Sequence, residues 1–471
     1  MNRDLLALVL AAGQGTRFKS SRAKVLHPLL GRSMIRLVTS SLLALKPSKL
    51  LVVVGYQKDE VIGEVAGCDA EPVRQRVQLG TAHAVLAARS RLRIHPQADV
   101  LVIHGDLPLI TPEPLRQMVA RHRRARNALT FMTADLDDAS GFGRIIEAGG
   151  RYRVVEQKDA TPEQRKVRRA NVGVYVFKVR DLLAALPRIS NRNKKKEFYL
   201  TDIVEIISAA GKKVEPFSTP NPEEIIGVNT RYELAKAAEI LRERKARELA
   251  EAGVSILDPR TAWIDLEVRI GQDTVVHPSV TLEGRTRIGA GCILRPFVQV
   301  VDSEVGDGVR ILGPSIIRDC RLESGAQVGP FAHLRAKTIL RPGSRVGNFV
   351  EIKNTVFGRG SKAMHLSYLG DSTVEEEVNV GAGTITCNFD GVRKNPTHIG
   401  AGAFIGSGTE LVAPVKVGRG AYIGAGSVIT KDVSPGALAV SRSRQIERPG
   451  WAARQSLKRG EPKRVRPPRK K

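Results

Sequence analysis

Cysteine is scarce: Cys68, Cys292, Cys320 and Cys387 are the only four in 471 residues, and none forms a C-x-x-C pair. That excludes a disulfide framework and cysteine-bound zinc, and it fits a reducing cytoplasm. Aromatic side chains make up only 4% of the chain, so one large aromatic core is not expected. Long apolar runs are missing as well. The run Leu5–Ala12 is short and ends in a glycine loop rather than a cleavage site, which argues against a signal peptide and against membrane insertion. Acids are in deficit, 48 against 75 Lys/Arg, for a net charge of +27. Part of this is local, because Arg454–Lys471 holds nine Lys/Arg and one acid, Glu461. No nucleic-acid motif accompanies the charge. The surface is read as suited to anionic small substrates, and nucleic acid is not expected as a partner.

What is abundant is glycine, with 44 residues, and it is distributed unevenly. Up to about residue 230 the chain alternates apolar runs (Leu5–Leu10, Leu50–Val54, Val100–His104) with amphipathic segments such as Met34–Leu45 and Thr81–Arg91. This predicts an α/β domain with a mostly parallel sheet. Residues 231–252 lack Gly and Pro and predict one charged connector helix. Beyond Ile270 apolar residues recur every six positions: Ile270, Val276, Leu282, Ile288, Leu294, Val300, then, after a slip of one, Val305, Ile311, Ile317. A second slip leads into Leu322, Val328, Leu334, Leu340, Val346, Ile352, and the period returns at Ile399, Ile405, Leu411, Val417, Ile423, Ile429. A six-residue period fits neither a helix nor an ordinary strand. It is the hexapeptide signature of a parallel β-helix over 253–447. The stretch from Val380 to Ile399 breaks the rhythm and is expected to loop out. The basic segment 448–471 is expected to be disordered.

In the first domain, Leu10-Ala11-Ala12-Gly13-Gln14-Gly15-Thr16-Arg17 follows a strand. Gly13 and Gly15 allow close backbone approach to phosphates, and Arg17 and Lys24 add positive charge. The loop is not a Walker A motif, because no G-K-[ST] follows. Gln75 and Gln78-Leu79-Gly80-Thr81 form a polar cluster before a helix. His104-Gly105-Asp106 ends a strand in a carboxylate, where ligands bind in open α/β sheets and where Mg²⁺ finds an oxygen ligand.

In the coil, Lys362-Ala363-Met364-His365-Leu366-Ser367-Tyr368-Leu369-Gly370-Asp371 sits where the rhythm falters. A histidine with pKa near ~6.5 is suited to taking a proton from an ammonium nucleophile.

These motifs resemble the sugar-phosphate nucleotidyltransferases. With the coil, they resemble the bifunctional family that joins N-acetylglucosamine-1-phosphate uridyltransferase to glucosamine-1-phosphate N-acetyltransferase in bacterial cell-wall synthesis. The likeness covers about residues 4–452 and includes Gly141-Phe142-Gly143-Arg144-Ile145, Val155-Glu156-Gln157-Lys158-Asp159-Ala160, Gly227-Val228-Asn229 and Gly381-Ala382-Gly383-Thr384-Ile385-Thr386-Cys387-Asn388. It implies an α/β Rossmann-like nucleotidyltransferase domain followed by a left-handed parallel β-helix. The substrates would be UTP, N-acetylglucosamine 1-phosphate, glucosamine 1-phosphate and acetyl-CoA, acting in a cytoplasmic homotrimer with sites between subunits.

By the same resemblance, Leu10, Ala11, Ala12, Gly13, Gln75, Gly80, Thr81, His104 and Gly105 contact the uridine nucleotide. Gly143, Glu156 and Asn171 contact the sugar, Arg17 and Lys24 neutralise the triphosphate, and Asp106 and Asn229 hold Mg²⁺. In the coil His365 is the base, with Glu351 orienting or tuning it. Arg335 and Lys353 take the sugar phosphate, and Tyr368 and Asn379 the sugar. Ala382, Asn388, Phe389, Ser407, Ala425 and Arg442 take acetyl-CoA, while Lys337 and Arg341 are read as a solvated face. Four positions depart from the family pattern: Phe18 for Met, Ala23 for Pro, and His104 and Phe389 each for Tyr. Two other readings remain at this point, a nucleotidyltransferase whose coil only oligomerises or regulates, and a nucleic-acid binder using the basic tail.

Overall fold

Along Leu5–Ala11 (β1), Leu6, Leu8 and Leu10 point to one side of a sheet while Ala7, Val9 and Ala11 point to the other, and all six are buried. A strand that is apolar on both faces needs a layer on each, and the fold supplies both. The computed structural model describes residues 4–219 and 221–458, which fall into two compact units divided between residues 287 and 288.

In the first unit β1 pairs in parallel with β2 (Lys49–Val54) and with β4 (Asp99–His104), and β2 pairs with β3 (Ala70–Arg74). The sheet continues through β8 (Arg169–Lys178), β5 (Leu129–Asp135) and β9 (Val214–Ser218), in the order β9-β5-β8-β4-β1-β2-β3. Strand β8 runs antiparallel to both β4 and β5, and carries the hairpin β6 (Gly143–Ala148) and β7 (Arg151–Val155) on its edge. The sheet is therefore mixed, where the sequence pattern predicts a mostly parallel one. The antiparallel member is buried between its two end residues, Arg169 and Lys178, and reads as an apolar run indistinguishable from a parallel strand. Helix α1 (Met34–Leu43) is capped by Ser33, while the predicted helix at Thr81–Arg91 is divided into α2 (Thr81–Ala87) and a second short helix spanning Arg89–Arg93.

Helix α3 (Arg231–Glu251) opens with a capping box in which Thr230 and Glu233 satisfy each other's backbone N–H groups. It is less a free connector than a wall of this unit. Ala237 and Leu241 pack with Phe18, Leu29 and Met34, and Arg244 donates to the Leu109 carbonyl at 2.7 Å. Phe18 is buried in this cluster and Ala23 in the core with Val9, Val25 and Ile35, so the two departures from the family loop fill core space rather than face a ligand.

The hexapeptide rhythm becomes three parallel walls. The first unit already carries the strand pairs Ser255–Ile256/Val275–Val276 and Trp263–Ile264/Thr281–Glu283. In the second unit the pairing runs coil to coil, for example Ile311 on Val328, Leu334 on Ile352, and Leu322 on Leu340. All the periodic aliphatic residues named above are buried.

The slips have a local cause. Where one coil is a residue short, the corner between the second and third walls is turned by Asp302, Asp319, Asn354 or Asp371, each with positive φ. Asp and Asn tolerate that conformation best among residues with a side chain. The rhythm does not falter around His365: Phe357, Ala363, Leu369, Val374 and Val380 keep the inward positions, Ala363 being merely small. The predicted loop is also shorter. Ile385–Cys387 is a second-wall strand with Thr386 buried inside, and the excursion is confined to 388–396. Within the basic segment, Trp451–Lys458 forms a helix, and 459–471 lies outside the described residues.

Candidate active sites

The cleft of the first unit lies beyond the carboxyl ends of β1 and β4. A cavity of about 280 Å³ is lined by Leu10, Ala11, Ala12, Gly13, Lys24, Gln75, Gly80, Thr81, His104 and Asp106. Gly15 and Gln78, both marked in the sequence, line it too, and Val25, Ala84 and Glu197, to which the sequence reading gave no role, complete the lining. Gly15 is required twice over: its φ is +71°, and a Cβ there would lie 2.7 Å from the Lys24 Cβ. Gly13 has open space beside it, so its backbone faces the cavity unobstructed. Gly105 does not line the cavity. Its backbone N–H donates to the Leu10 carbonyl at 3.0 Å, and Ile35 and Val25 close over it.

Lys24 Nζ is the centre of the cleft. It forms an ion pair with Asp106 Oδ2 and donates to Asn229 Oδ1 at 3.0 Å, and Arg17 Nη2 reaches the same Asn229 oxygen at 2.8 Å. Asn229 is placed by the cap of α3, because its N–H donates to Glu233 Oε2 at 2.7 Å. Burial pushes the Asp106 carboxyl up, but the Lys24 charge overrides it and holds the group below its usual range. Burial lowers the His104 imidazole, with Asp106 opposing. His104 lies against Gly173, where a Cβ would come within 2.7 Å of its ring, at the register break in β8.

Gly143, Glu156 and Asn171 gather apart from the loop residues. Gly143 pairs with Asn171 across the strands, and a Cβ at Gly143 would lie 3.6 Å from Glu156 Oε1. Glu156 accepts from Thr201 Oγ1 at 3.1 Å, and burial raises its carboxyl above the ordinary value. Asn171 Nδ2 donates to Tyr175 at 2.9 Å, while its Oδ1 is buried with no partner among the described residues.

In the second unit His365 is exposed at the end of a first-wall strand and lies beside Asn348 of the preceding coil, Nδ1 to Oδ1 2.7 Å. An amide oxygen only accepts, so Nδ1 carries the proton and Nε2 is left with its lone pair. Glu351 does not orient this ring. Its Oε1 accepts from Arg335 Nε and Nη2 at 2.8 and 2.6 Å, and Asn348 takes the role expected of it.

Arg335 and Lys353 are register partners on the second wall. Lys394, from the 388–396 loop, lies against Lys353; its hydrogen-bond contact, burial and its charge together lower the Lys353 ammonium. Two lysine side chains brought close to each other and to a guanidinium, their mutual repulsion not fully relieved, suit a phosphate dianion. Tyr368 follows Glu351 in register, and its hydroxyl lies 3.4 Å from Asn388 Nδ2. Asn388 also donates to Asp371 at 2.6 Å, and Asn354 donates to Asp371 at 2.7 Å.

Not all the predicted residues of the coil meet. Ala382, Ser407, Ala425 and Arg442 climb one edge: Gly408 N donates to Ala382 O, Gly426 N to Ser407 O, and Arg442 to Ala425 O. Asn388 and Phe389 belong to the next edge, where the second wall turns to the third, and Asn379 stands on the first wall beside Lys362 and Phe404. Sequence reading missed Asn348 and Lys394. Asn348 was findable, since one coil is 17 residues here and His365 lies that far on. Lys394 was not, because its loop has no period.

Comparison with known proteins agrees with this division. The model of the MobA-like NTP transferase domain matches residues 7–204, and that of the bacterial transferase hexapeptide (six repeats) matches 396–431. A relative from Thermotoga petrophila, called bifunctional protein GlmU, is 48% identical over 94% of this chain and 98% of its own. Relatives of the same name from Pelobacter propionicus (43%, covering 97% and 99%) and Lactobacillus delbrueckii subsp. bulgaricus (43%, covering 94% and 95%) are similar along their length.

Proposed function

The chain belongs to the bifunctional GlmU family, and on that premise we propose how its two sites divide the work. The protein transfers acetyl from acetyl-CoA to glucosamine 1-phosphate, then uridylyl from UTP to N-acetylglucosamine 1-phosphate with release of pyrophosphate. The first unit carries the uridylyl step. A phosphate oxygen of the sugar phosphate, already ionised, attacks the α-phosphorus in line, so no general base is required. The chain's part is positioning and charge neutralisation: backbone N–H groups of the Gly13–Gly15 loop, Lys24 and Arg17 on the triphosphate, Gln75, Gly80 and Thr81 on the nucleoside, Gly143, Glu156 and Asn171 on the sugar. The unpartnered Asn171 oxygen supports a sugar hydroxyl there.

Asp106 and Asn229 suit Mg²⁺, because their oxygens already converge on one cation, the Lys24 ammonium. Two protein oxygens, the rest water and phosphate, is the manner in which Mg²⁺ is held. When bound, the ion neutralises phosphate charge; Lys24 is then available to the triphosphate.

The coil carries the acetyl step. His365 Nε2 removes a proton from the sugar ammonium, the amine attacks the thioester carbonyl, and coenzyme A leaves as its thiol once protonated. Arg335, Lys353 and Lys394 grip the phosphate, and Tyr368 and Asn379 the sugar. The residues assigned to acetyl-CoA stand on two edges of one coil, which supports a homotrimer that closes the site between subunits. The protein is taken to work in the cytoplasm; among the described residues no helix is long and apolar enough to cross a membrane.

The observation that carries the bifunctional reading over an inert coil is His365 held by Asn348 with Nε2 free, in coils that also carry Arg335, Lys353 and Lys394. The test is coenzyme A release from acetyl-CoA and glucosamine 1-phosphate. Turnover is expected, and release no faster than without the sugar phosphate would sink the reading.

A further inference from the structure

Gln75 follows β3, is almost fully buried and lines the nucleotide cavity. Its Nε2 lies 3.0 Å from His83 Nδ1 and 3.3 Å from the Gly80 carbonyl oxygen. A carbonyl only accepts, so the amide nitrogen must be the atom facing Gly80. The same nitrogen faces His83, whose Nδ1 therefore accepts, with the ring proton on Nε2. Two acceptors thus fix the flip of one amide. What Gln75 has left to offer is Oε1, which has no hydrogen-bond partner among the described residues. His83, in the first turn of α2, does not line the cavity.

The consequence lies in base chemistry. Uracil presents N3–H, a donor, between two carbonyls. Cytosine presents an unprotonated N3, an acceptor, beside an amino group. A fixed Oε1 accepts from uracil N3–H, whereas against cytosine it sets two acceptors face to face. A Gln75 free to rotate could offer either end and would discriminate less.

We propose that His83 is a positioning residue that makes this pocket choose uracil over cytosine, by fixing the Gln75 amide with Oε1 toward the base. The inference rests on the reading of the cleft as the UTP site with Gln75 on the base.

The test uses the full-length protein and measures kcat/KM for UTP and for CTP with N-acetylglucosamine 1-phosphate. His83→Leu keeps bulk and removes the acceptor; His83→Ala is a second acceptor-free variant in case leucine disturbs packing. His83→Asn returns an acceptor oxygen near the place of Nδ1. In the acceptor-free variants the UTP:CTP ratio is expected to narrow by about tenfold, the value of one hydrogen bond, chiefly through KM for UTP. In His83→Asn most of the ratio should return, and acetyl transfer should be unchanged in all three. A wild-type ratio in the acceptor-free variants, or equal loss with both nucleotides, overturns the proposal. Wild-type protein that uses CTP as well as UTP overturns instead the reading of the cleft beneath it.

Discussion

Lys24, Asp106 and Asn229 come from three distant stretches of the first unit and meet on a single ammonium, whereas Asn348 and His365, or Asn354 and Asp371, meet because they stand 17 residues apart on successive coils. The α/β cleft is tertiary: its members are brought together by a sheet and a helix cap, and they satisfy one another inside one chain. The coil site is periodic: its members are laid out by repeat length on an outer surface, and one chain leaves them on separate edges. An enclosed site can be read from a single chain's geometry, while a periodic one shows its pairs but not its enclosure.

The sharpest way to break the comparison is to cross the two sites. Asp106→Ala is expected to lower uridylyl transfer by a factor on the order of 10² or more, and His365→Ala to lower acetyl transfer by ~10²–10⁴. Each should leave the other activity within about twofold. Separate assays of both reactions on both variants check this, and a parallel fall in the two activities would mean that the sites are not independent. A smaller effect probes the coil alone. If Asn348 holds the His365 ring, Asn348→Ala should cut kcat for acetyl transfer about tenfold, the scale of a lost hydrogen bond, with little change in KM for glucosamine 1-phosphate. An effect confined to KM would make Asn348 a binding residue instead.

The smallest effect concerns stability in the α/β unit. Burial, then Glu156, Glu205 and Asp159, push the Asp202 carboxyl up to about 6. An acid raised in the folded state binds its proton more readily there than when unfolded. Its ionised form therefore costs stability above about pH 6, and that cost fades as the pH falls toward 4. Asp202→Asn should raise the unfolding midpoint at pH 8 by roughly 1–2 °C, a modest shift because the group is partly solvent-screened, and by nothing at pH 4. Thermal melts at the two pH values decide it.

The comparison also explains what sequence made legible. The coil's core was readable residue by residue, because a six-residue period survives in any window. Where it was hidden, the inward residue was Ala363 or Thr386, too small or too polar to count as apolar. The sheet's first three named strands were readable, with their parallel direction, but the reversal of β8 was not, since that strand is an apolar run buried on both faces. The resemblance located Asn229, but its placement depends on a helix cap that only the fold displays. The expectation that Glu351 orients the His365 ring failed for a related reason: sequence places both near one site but cannot say that Arg335, 16 residues before Glu351, would claim the carboxylate.

Because each coil is hydrogen-bonded only to its neighbours, opening of such a stack starts at an end and travels inward, one interface at a time. The strand Lys362–His365 stands mid-stack, with Arg345–Asn348 below and Asn379–Val380 above, while Ala425 and Arg442 lie close to the terminal strand Leu438–Ala439. If Ala425 and Arg442 take the acetyl donor and His365 the proton, as proposed, warming should loosen the donor's grip first and leave the histidine in its frame until late, so heat inactivation of this half begins as a fall in donor affinity rather than in chemical competence.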